Sequence, residues 1–227
     1  MKKLLVILIL CSPVVAYTQE WSLEYSLGYG SYQLDDVKAM QDMTLSFARE
    51  YGLKETDRFP SYVTQTVALG YIAGYHHVGA NFSYLTTGGR LHTADYSGSY
   101  TIDMIINGYR LGLFYRYYIN TGFSPLNIYL QISPGVLFSN LSADESIIIG
   151  SESAMENNIL KSTGAYIEPT IGVTYRITNW MRFSVGGGYQ ADLWGTLKYE
   201  GQETQNKAHW NGLRLYGSIM LTLPNRN

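Results

Sequence analysis

The sequence predicts an all-β fold: a closed antiparallel eight-stranded transmembrane β-barrel with a short helix in its first extracellular loop. Three observations lead there. The chain opens with a cleavable export signal, then alternates apolar and polar residues with a period of two, and its connections alternate between short and long. The period of two places successive side chains on opposite faces of a strand. An apolar face beside a polar one, in segments of about 10 residues, is the pattern of an outer-membrane barrel.

Residues 1–18 read as the signal peptide. Met1-Lys2-Lys3 is a short positive start, and Leu4–Leu10 is an apolar run too short to span a bilayer as a helix. Ala16-Tyr17-Thr18 supplies the small residues that a signal peptidase reads, which puts cleavage before Gln19, with cleavage after Ala16 as the alternative. Residues 19–227 then form one barrel domain. The only cysteine, Cys11, falls within the signal; Leu8-Ile9-Leu10-Cys11 fits a lipoprotein signal poorly because Leu10 is large where a small residue is wanted, and without lipidation the mature chain has no thiol, which excludes disulfides and thiolate chemistry. Removing Lys2 and Lys3 from 16 basic residues leaves 14 against 18 acidic ones, a formal charge of −4, which is no footprint for nucleic acid. The mean hydropathy of −0.09 hides a barrel, because only every second strand residue faces lipid. The 21 tyrosines and 23 glycines suit girdled, curved sheets.

Eight strands are expected at about 20–32, 61–74, 76–87, 107–119, 127–141, 161–177, 181–194 and 209–223. The first is the clearest: Trp21, Leu23, Tyr25, Leu27 and Tyr29 alternate with Ser22, Glu24, Ser26 and Gly28. The same parity rule assigns to lipid Val67 and Leu69, Phe82, Leu111 and Leu113, Ile132 and Val136, Ile171 and Val173, Val185, and Leu215 and Ile219, among others. No position of the lipid-facing set is charged. The charges fall on the other parity, at Glu24, Arg110, Arg116, Glu168, Asp192 and Arg214, with Arg176 and Arg182 beside a turn. Eight strands leave an interior that side chains fill. These charges are therefore expected to pair, with Glu24 near Arg116 and Glu168 near Arg214, and to line no open pore.

Short connections near 73–75, 120–125 and 178–180 are assigned to the periplasm, and long ones near 33–60, 88–106, 142–160 and 195–208 to the cell exterior. Trp21, Phe123 and Trp180 mark the periplasmic girdle. Tyr84, Tyr109, Phe138, Tyr189, Trp194 and Trp210 mark the outer one. The ending Gly217–Leu223 alternates like the strand signal read by the barrel-assembly machinery. In the first long loop a helix is expected over Asp36–Tyr51, capped by Asp35 or Asp36 and ended by Gly52, with Val37, Met40, Phe47 and Tyr51 on its apolar side. It is read as a lid on the mouth, or as a surface for lipopolysaccharide or a partner. Pro134 and Pro169 lie on the lipid-facing parity of the fifth and sixth strands. Their missing N–H groups mark a local weak point there, either a bulge or a lateral gap for a lipid chain.

Thr87-Gly88-Gly89-Arg90, followed by Asp95-Tyr96-Ser97-Gly98 and Tyr100, resembles small outer-membrane β-barrel proteins of Bacteroidota. Gly28-Tyr29-Gly30-Ser31-Tyr32 followed by Leu34-Asp35-Asp36-Val37-Lys38 resembles their first strand and helical loop. The resemblance implies an eight-stranded outer-membrane barrel and carries over no catalytic residues. The chain contains no HExxH, Walker loop or GxSxG elbow. His76 and His77 beside a turn read as surface residues, while His92 and His209 stand near loop acids such as Asp95. No metal and no cofactor is expected. The leading function is a porin-like structural anchor or surface-interaction protein in the outer membrane of a Gram-negative bacterium, with a periplasmic N-terminus. Its partners are outer-membrane lipids, lipopolysaccharide and an extracellular partner of unknown identity. The alternatives are a lipid-binding or lipid-modifying barrel with lateral access, and a narrow channel.

Overall fold

The computed structural model describes residues 19–96, 98–122, 125–149, 152–199 and 201–224. The expected signal peptide, Phe123 of the expected periplasmic girdle and the tip at Gly150–Ser151 lie outside them. The described chain is built from strands β1 (Gln19–Gly30), β2 (Lys54–Arg58), β3 (Tyr62–Ala73), β4 (His76–Ala94), β5 (Gly98–Asn120), β6 (Leu126–Ile149), β7 (Glu152–Arg176), β8 (Met181–Trp194), β9 (Thr196–Tyr199), β10 (Gln202–Lys207) and β11 (Gly212–Pro224), and one α-helix, α1 (Asp35–Ala48). Among the described residues no helix is long and apolar enough to cross a membrane, which says nothing about crossing by strands.

Eight strands pair antiparallel in a ring. The order is β1, β3, β4, β5, β6, β7, β8 and β11, and β11 returns to β1 with Trp21 opposite Leu223 and Tyr29 opposite Leu215. The outward parity is as the alternation predicts: Leu69, Leu113 and Val173 face out. Ser22, Glu24, Ser133, Ser184 and Ser218 face in and are buried. Paired glycines make room for inward aromatics. Gly172 lies opposite Gly186, and a Cβ on either would stand 2.4–2.5 Å from the Tyr129 ring or hydroxyl. Gly112 and Gly135 likewise leave space for Tyr166.

The ring is uneven in height. Four adjacent strands, β4 to β7, have 19–25 residues, whereas β1, β3, β8 and β11 have 12–14. The stretches 88–106 and 142–160, expected as loops, are largely strand. They form a wall above the ring, with β2 added to β4 and β9 added to β7. In this wall the alternation is inverted. Leu91, Ile102, Met104, Ile106, Leu141 and Leu160 point inward and are buried, while Arg90, His92, Thr101, Asp103 and Lys161 take the outer face. The inward set packs with Leu34, Val37, Phe59, Leu197 and Trp210 into one apolar core that closes the mouth.

Helix α1 lies over that core with Val37 and Met40 of the expected apolar side packed against it, but not Phe47 or Tyr51. Val37, Gln41 and Ala48 are buried, while Met43, Phe47 and Tyr51 are exposed. The buried set recurs at helical spacing and includes a glutamine, whose side chain donates to the Asp57 carbonyl at 2.7 Å; an apolar reading passes over it. Its start has no side-chain cap either. Leu34 adopts a left-handed conformation there, and the Asp36 carboxylate instead accepts the Lys207 backbone N–H at 2.8 Å. Leu34 and Phe59 are the two described non-glycine residues with φ in the left-handed region, and both are fully buried in the mouth core. Their packing offsets strain of about 1–3 kcal/mol each.

Candidate functional site

Three places concentrate chemistry: the ring interior, the closed mouth, and a recess at the top of the wall. The interior holds two ion-pair clusters. In the lower one Arg116 Nη2 lies 3.0 Å from Glu24 Oε2. Ser218 donates to Glu24 at 2.5 Å, and Arg116 Nε donates to Gln131 Oε1 at 2.7 Å. The Arg116 guanidinium also stands 4.4 Å over the Tyr129 ring. In the upper cluster Arg110 bonds Glu168, and Arg214 Nη1 lies 3.8 Å from the same carboxylate oxygen. Arg110 sits 4.1 Å over the Tyr166 ring, and Arg214 donates to Gln190. All five charged groups are at least nine-tenths buried. Burying charge is costly unless it is paired and hydrogen-bonded, and each of these has a partner of opposite sign. The space left between the clusters is about 50 Å³, enough for a few waters and too small for an acyl chain.

Asp192 is not paired with an arginine. It stands at the mouth, where it accepts from the Trp210 backbone N–H at 2.7 Å and from Gln190 at 2.5 Å. Gln190 therefore joins it to the Arg214 cluster. Trp210, assigned above to the outer girdle, is wholly buried; its indole N–H donates to Ser139 at 2.9 Å and its ring meets Tyr32 edge-on at 4.9 Å. The segment before β11 turns in over the mouth and carries Trp210 with it. His77 is likewise buried, not a surface residue: its ring nitrogens meet Ser22 at 2.7 Å and Tyr118 at 3.3 Å. It occupies the inward parity of β4, one residue past His76, which points out to Tyr115. Arg182 reaches Glu20 at 2.8 Å on the rim.

The prolines do not open the wall between their own strands. Pro134 stands opposite Ile167 and Pro169 opposite Ile132, and the β6–β7 pairing runs unbroken from Leu126 to Ile149. The interruptions fall on the far sides. No pair forms between Leu113 and Pro134 on β5–β6, nor between Pro169 and Tyr189 on β7–β8. Hydrogen-bonding direction alternates along a strand, so each proline turns its missing donor toward the other neighbour. That removes the basis for a lateral gap between the two proline-bearing strands.

At the top of the wall Tyr51, from the turn after α1, meets Tyr100 edge to face at 6.4 Å. Tyr100 donates to Glu145. Burial, then the Glu145 carboxylate, pushes the Tyr100 hydroxyl up to about 12. On the outer face Arg90 grips Asp103 with two bonds, at 2.5 and 2.9 Å. His92 meets Thr101 at 2.9 Å, not Asp95, whose side chain accepts the Gly98 N–H at 3.2 Å and shapes the β4–β5 turn. Among the described residues no group of three or more His, Cys, Asp or Glu is placed to hold a metal ion. The tyrosines, Gln131, Gln190 and Trp210 were not singled out for these roles by charge parity, since uncharged groups carry no such mark.

No protein-family model and no curated protein matches the chain. Among solved structures it is similar to the Neisserial surface protein NspA, at 14% identity and TM-score 0.45, over 90% of this chain and 97% of that one. It is also similar to the N-terminal β-barrel domain of Pseudomonas aeruginosa OprF (12%, 0.35, 89% and 97%) and to the attachment invasion locus protein Ail of Yersinia pestis (11%, 0.36, 92% and 97%). These are small outer-membrane β-barrel proteins.

Proposed function

We propose that the chain is a closed outer-membrane β-barrel that anchors a packed extracellular head and displays it for surface interaction, with its N-terminus in the periplasm. The observation that carries this reading is the uncharged apolar band around the ring, set against an interior of paired charges. Outward leucines, isoleucines and tyrosines on all eight ring strands suit hydrocarbon, and a ring in which every strand has two partners leaves no bare backbone edge. The head fits water in the opposite sense, with its apolar side chains inside. The filled interior supports an anchor over a channel. The two sequence patterns around Thr87–Arg90 and Gly28–Lys38 favour a place among the small barrels of Bacteroidota. Within the head Gly89 is needed for packing, since a Cβ there would stand 2.6 Å from the Gln41 side-chain amide oxygen.

Cysteine labelling tests the topology. Past the signal the chain has no cysteine, so Tyr96→Cys in the head and Asn179→Cys at the opposite end report sidedness alone. On intact cells a membrane-impermeant maleimide is expected to label Tyr96→Cys only, with Asn179→Cys labelled after the outer membrane is permeabilised. Equal labelling of both, or recovery of the protein in a soluble fraction, overturns the reading. Reconstitution in planar bilayers is expected to give no steady conductance.

A further inference from the structure

Above the mouth core a recess opens between Tyr51 and the inner face of the upper strands. The recess there measures about 550 Å³, with Tyr51, Thr93, Asp95, Tyr100, Glu145 and Ile147 on its walls. That volume falls in the range of small-molecule sites. The walls carry two carboxylates, two aromatic rings and an aliphatic strand end, with no lysine, arginine or histidine.

Two features give the recess a sign. Tyr100 donates to Glu145 Oε1 at 2.5 Å, which fixes the carboxylate and leaves it further acceptor capacity. Glu156 stands directly across the β6–β7 pair from Glu145, on the same face. Like charges opposite one another destabilise a sheet. Their neighbours on that inner face are Ile102, Ile147, Ala154 and Asn158, none of them basic. The Asn158 amide donates to Glu156 at 3.2 Å and supplies no counter-charge. A bound positive charge would relieve the opposition, and the tyrosine faces attract the same charge.

We propose that this recess binds an organic cation: a protonated amine or guanidinium carried on a short apolar chain. The cationic head lies against Tyr51 and Tyr100 beside Glu145, and the apolar chain runs along Ile147. The same chemistry is offered by a free polyamine and by a basic side chain of a peptide. The inference rests on the surface-display reading only for the side from which the ligand arrives.

Calorimetric titration of the purified protein in detergent tests it, with protein-free micelles as the blank. Butylammonium is expected to bind at least tenfold more tightly than the neutral 1-butanol, and butyrate not measurably. Glu145→Gln is expected to weaken butylammonium at least tenfold, and Tyr51→Ala, at an exposed position, severalfold. Equal affinity for butylammonium and butanol, or an unchanged affinity in both variants, overturns the proposal. Spermidine and a tetralysine peptide, titrated in parallel, separate the two sources: tighter spermidine binding assigns a free polyamine, and tighter peptide binding a protein partner. If neither they nor butylammonium bind, the site is refuted. Should Glu145→Gln misfold by circular dichroism, Tyr51→Ala and Tyr100→Phe carry the test. The sidedness labelling at Tyr96→Cys fails or succeeds independently of these titrations.

Discussion

The ring interior and the head are built by the same strands and solve opposite problems. In β5, Arg110 and Arg116 point inward while Leu111 and Leu113 point out; a few residues higher, Ile102, Met104 and Ile106 point inward while Thr101 and Asp103 point out. β4, β6 and β7 reverse at the same level. The backbone register does not change across the reversal, so on the proposed reading what changes is the surroundings. A low-dielectric exterior drives polar groups inside, where they must pair, and water drives apolar groups inside. On the proposed outer-membrane reading, the level of the reversal, near Leu85, Gly108 and Leu137, is where the exterior would change from hydrocarbon to water.

If the two regions differ in what holds them together, mutations in them should fail differently. The largest effect is expected inside the ring. Glu24→Ala leaves Arg116 buried without its carboxylate, and breaking one side of a buried pair costs about 3–5 kcal/mol. Urea unfolding should show the loss, and a second change, Arg116→Met, should recover much of it. If Glu24→Ala costs under about 1 kcal/mol, within the range of a surface pair, the interior is wetter than its burial indicates.

The head depends on packing instead. Trp210→Ala removes its largest buried side chain and the bond to Ser139, for a cost of about 3 kcal/mol. The loss should be local. Hydrogen exchange is expected to quicken in α1 and in the upper halves of β4–β7, with β1, β3 and the lower ring unchanged. Faster exchange throughout would show that head and ring unfold as one unit.

The reversal was only half legible in the sequence. A single parity carried along each strand finds the lower ring, because no charge interrupts its outward set and every interior charge falls on the other parity. It also brings together Glu24 with Arg116 and Glu168 with Arg214. The same rule loses the upper strands, where an inward apolar set beside outward Arg90 and Asp103 breaks the pattern and reads as loop. Trp210 misleads for a related reason. An aromatic residue just before a strand suits a girdle, and only the inward turn of its segment shows otherwise. Gln190 and Gln131 join the clusters through amides, and Asp192 is held by a backbone N–H that the sequence does not display. The prolines mark breaks in the ladder, but which neighbour loses its bond depends on hydrogen-bonding phase, which alternation of side chains leaves open.

Placing the same charge at two heights on the outer face sharpens the comparison. Leu113→Arg puts a guanidinium in the apolar band and should cost about 2–4 kcal/mol at mid-membrane. Thr101→Arg puts it on the outer face of the head and should stay within about 0.5 kcal/mol. Matched unfolding in lipid vesicles measures both. Similar costs would remove the solvent boundary from the explanation.

The smallest effect expected is confined to the top of the wall, where a tyrosine is tied to an acid. Burial and the Glu145 carboxylate hold the Tyr100 hydroxyl protonated to about 12, against about 10 in an unfolded chain. The folded head therefore keeps a proton that the unfolded chain releases between these values. Stability from this contact is complete below pH about 10 and declines as pH rises toward 12. The difference in phenolate absorbance between the wild type and Tyr100→Phe isolates the one group from the other tyrosines. Wild-type protein is expected to show that increment near pH 12, accompanied by faster exchange in β5 and β6 above Met104 and no change in the ring. An increment near pH 10 would mean that Tyr100 and Glu145 are not held together in solution, and that the upper wall lacks the order of the core beneath it.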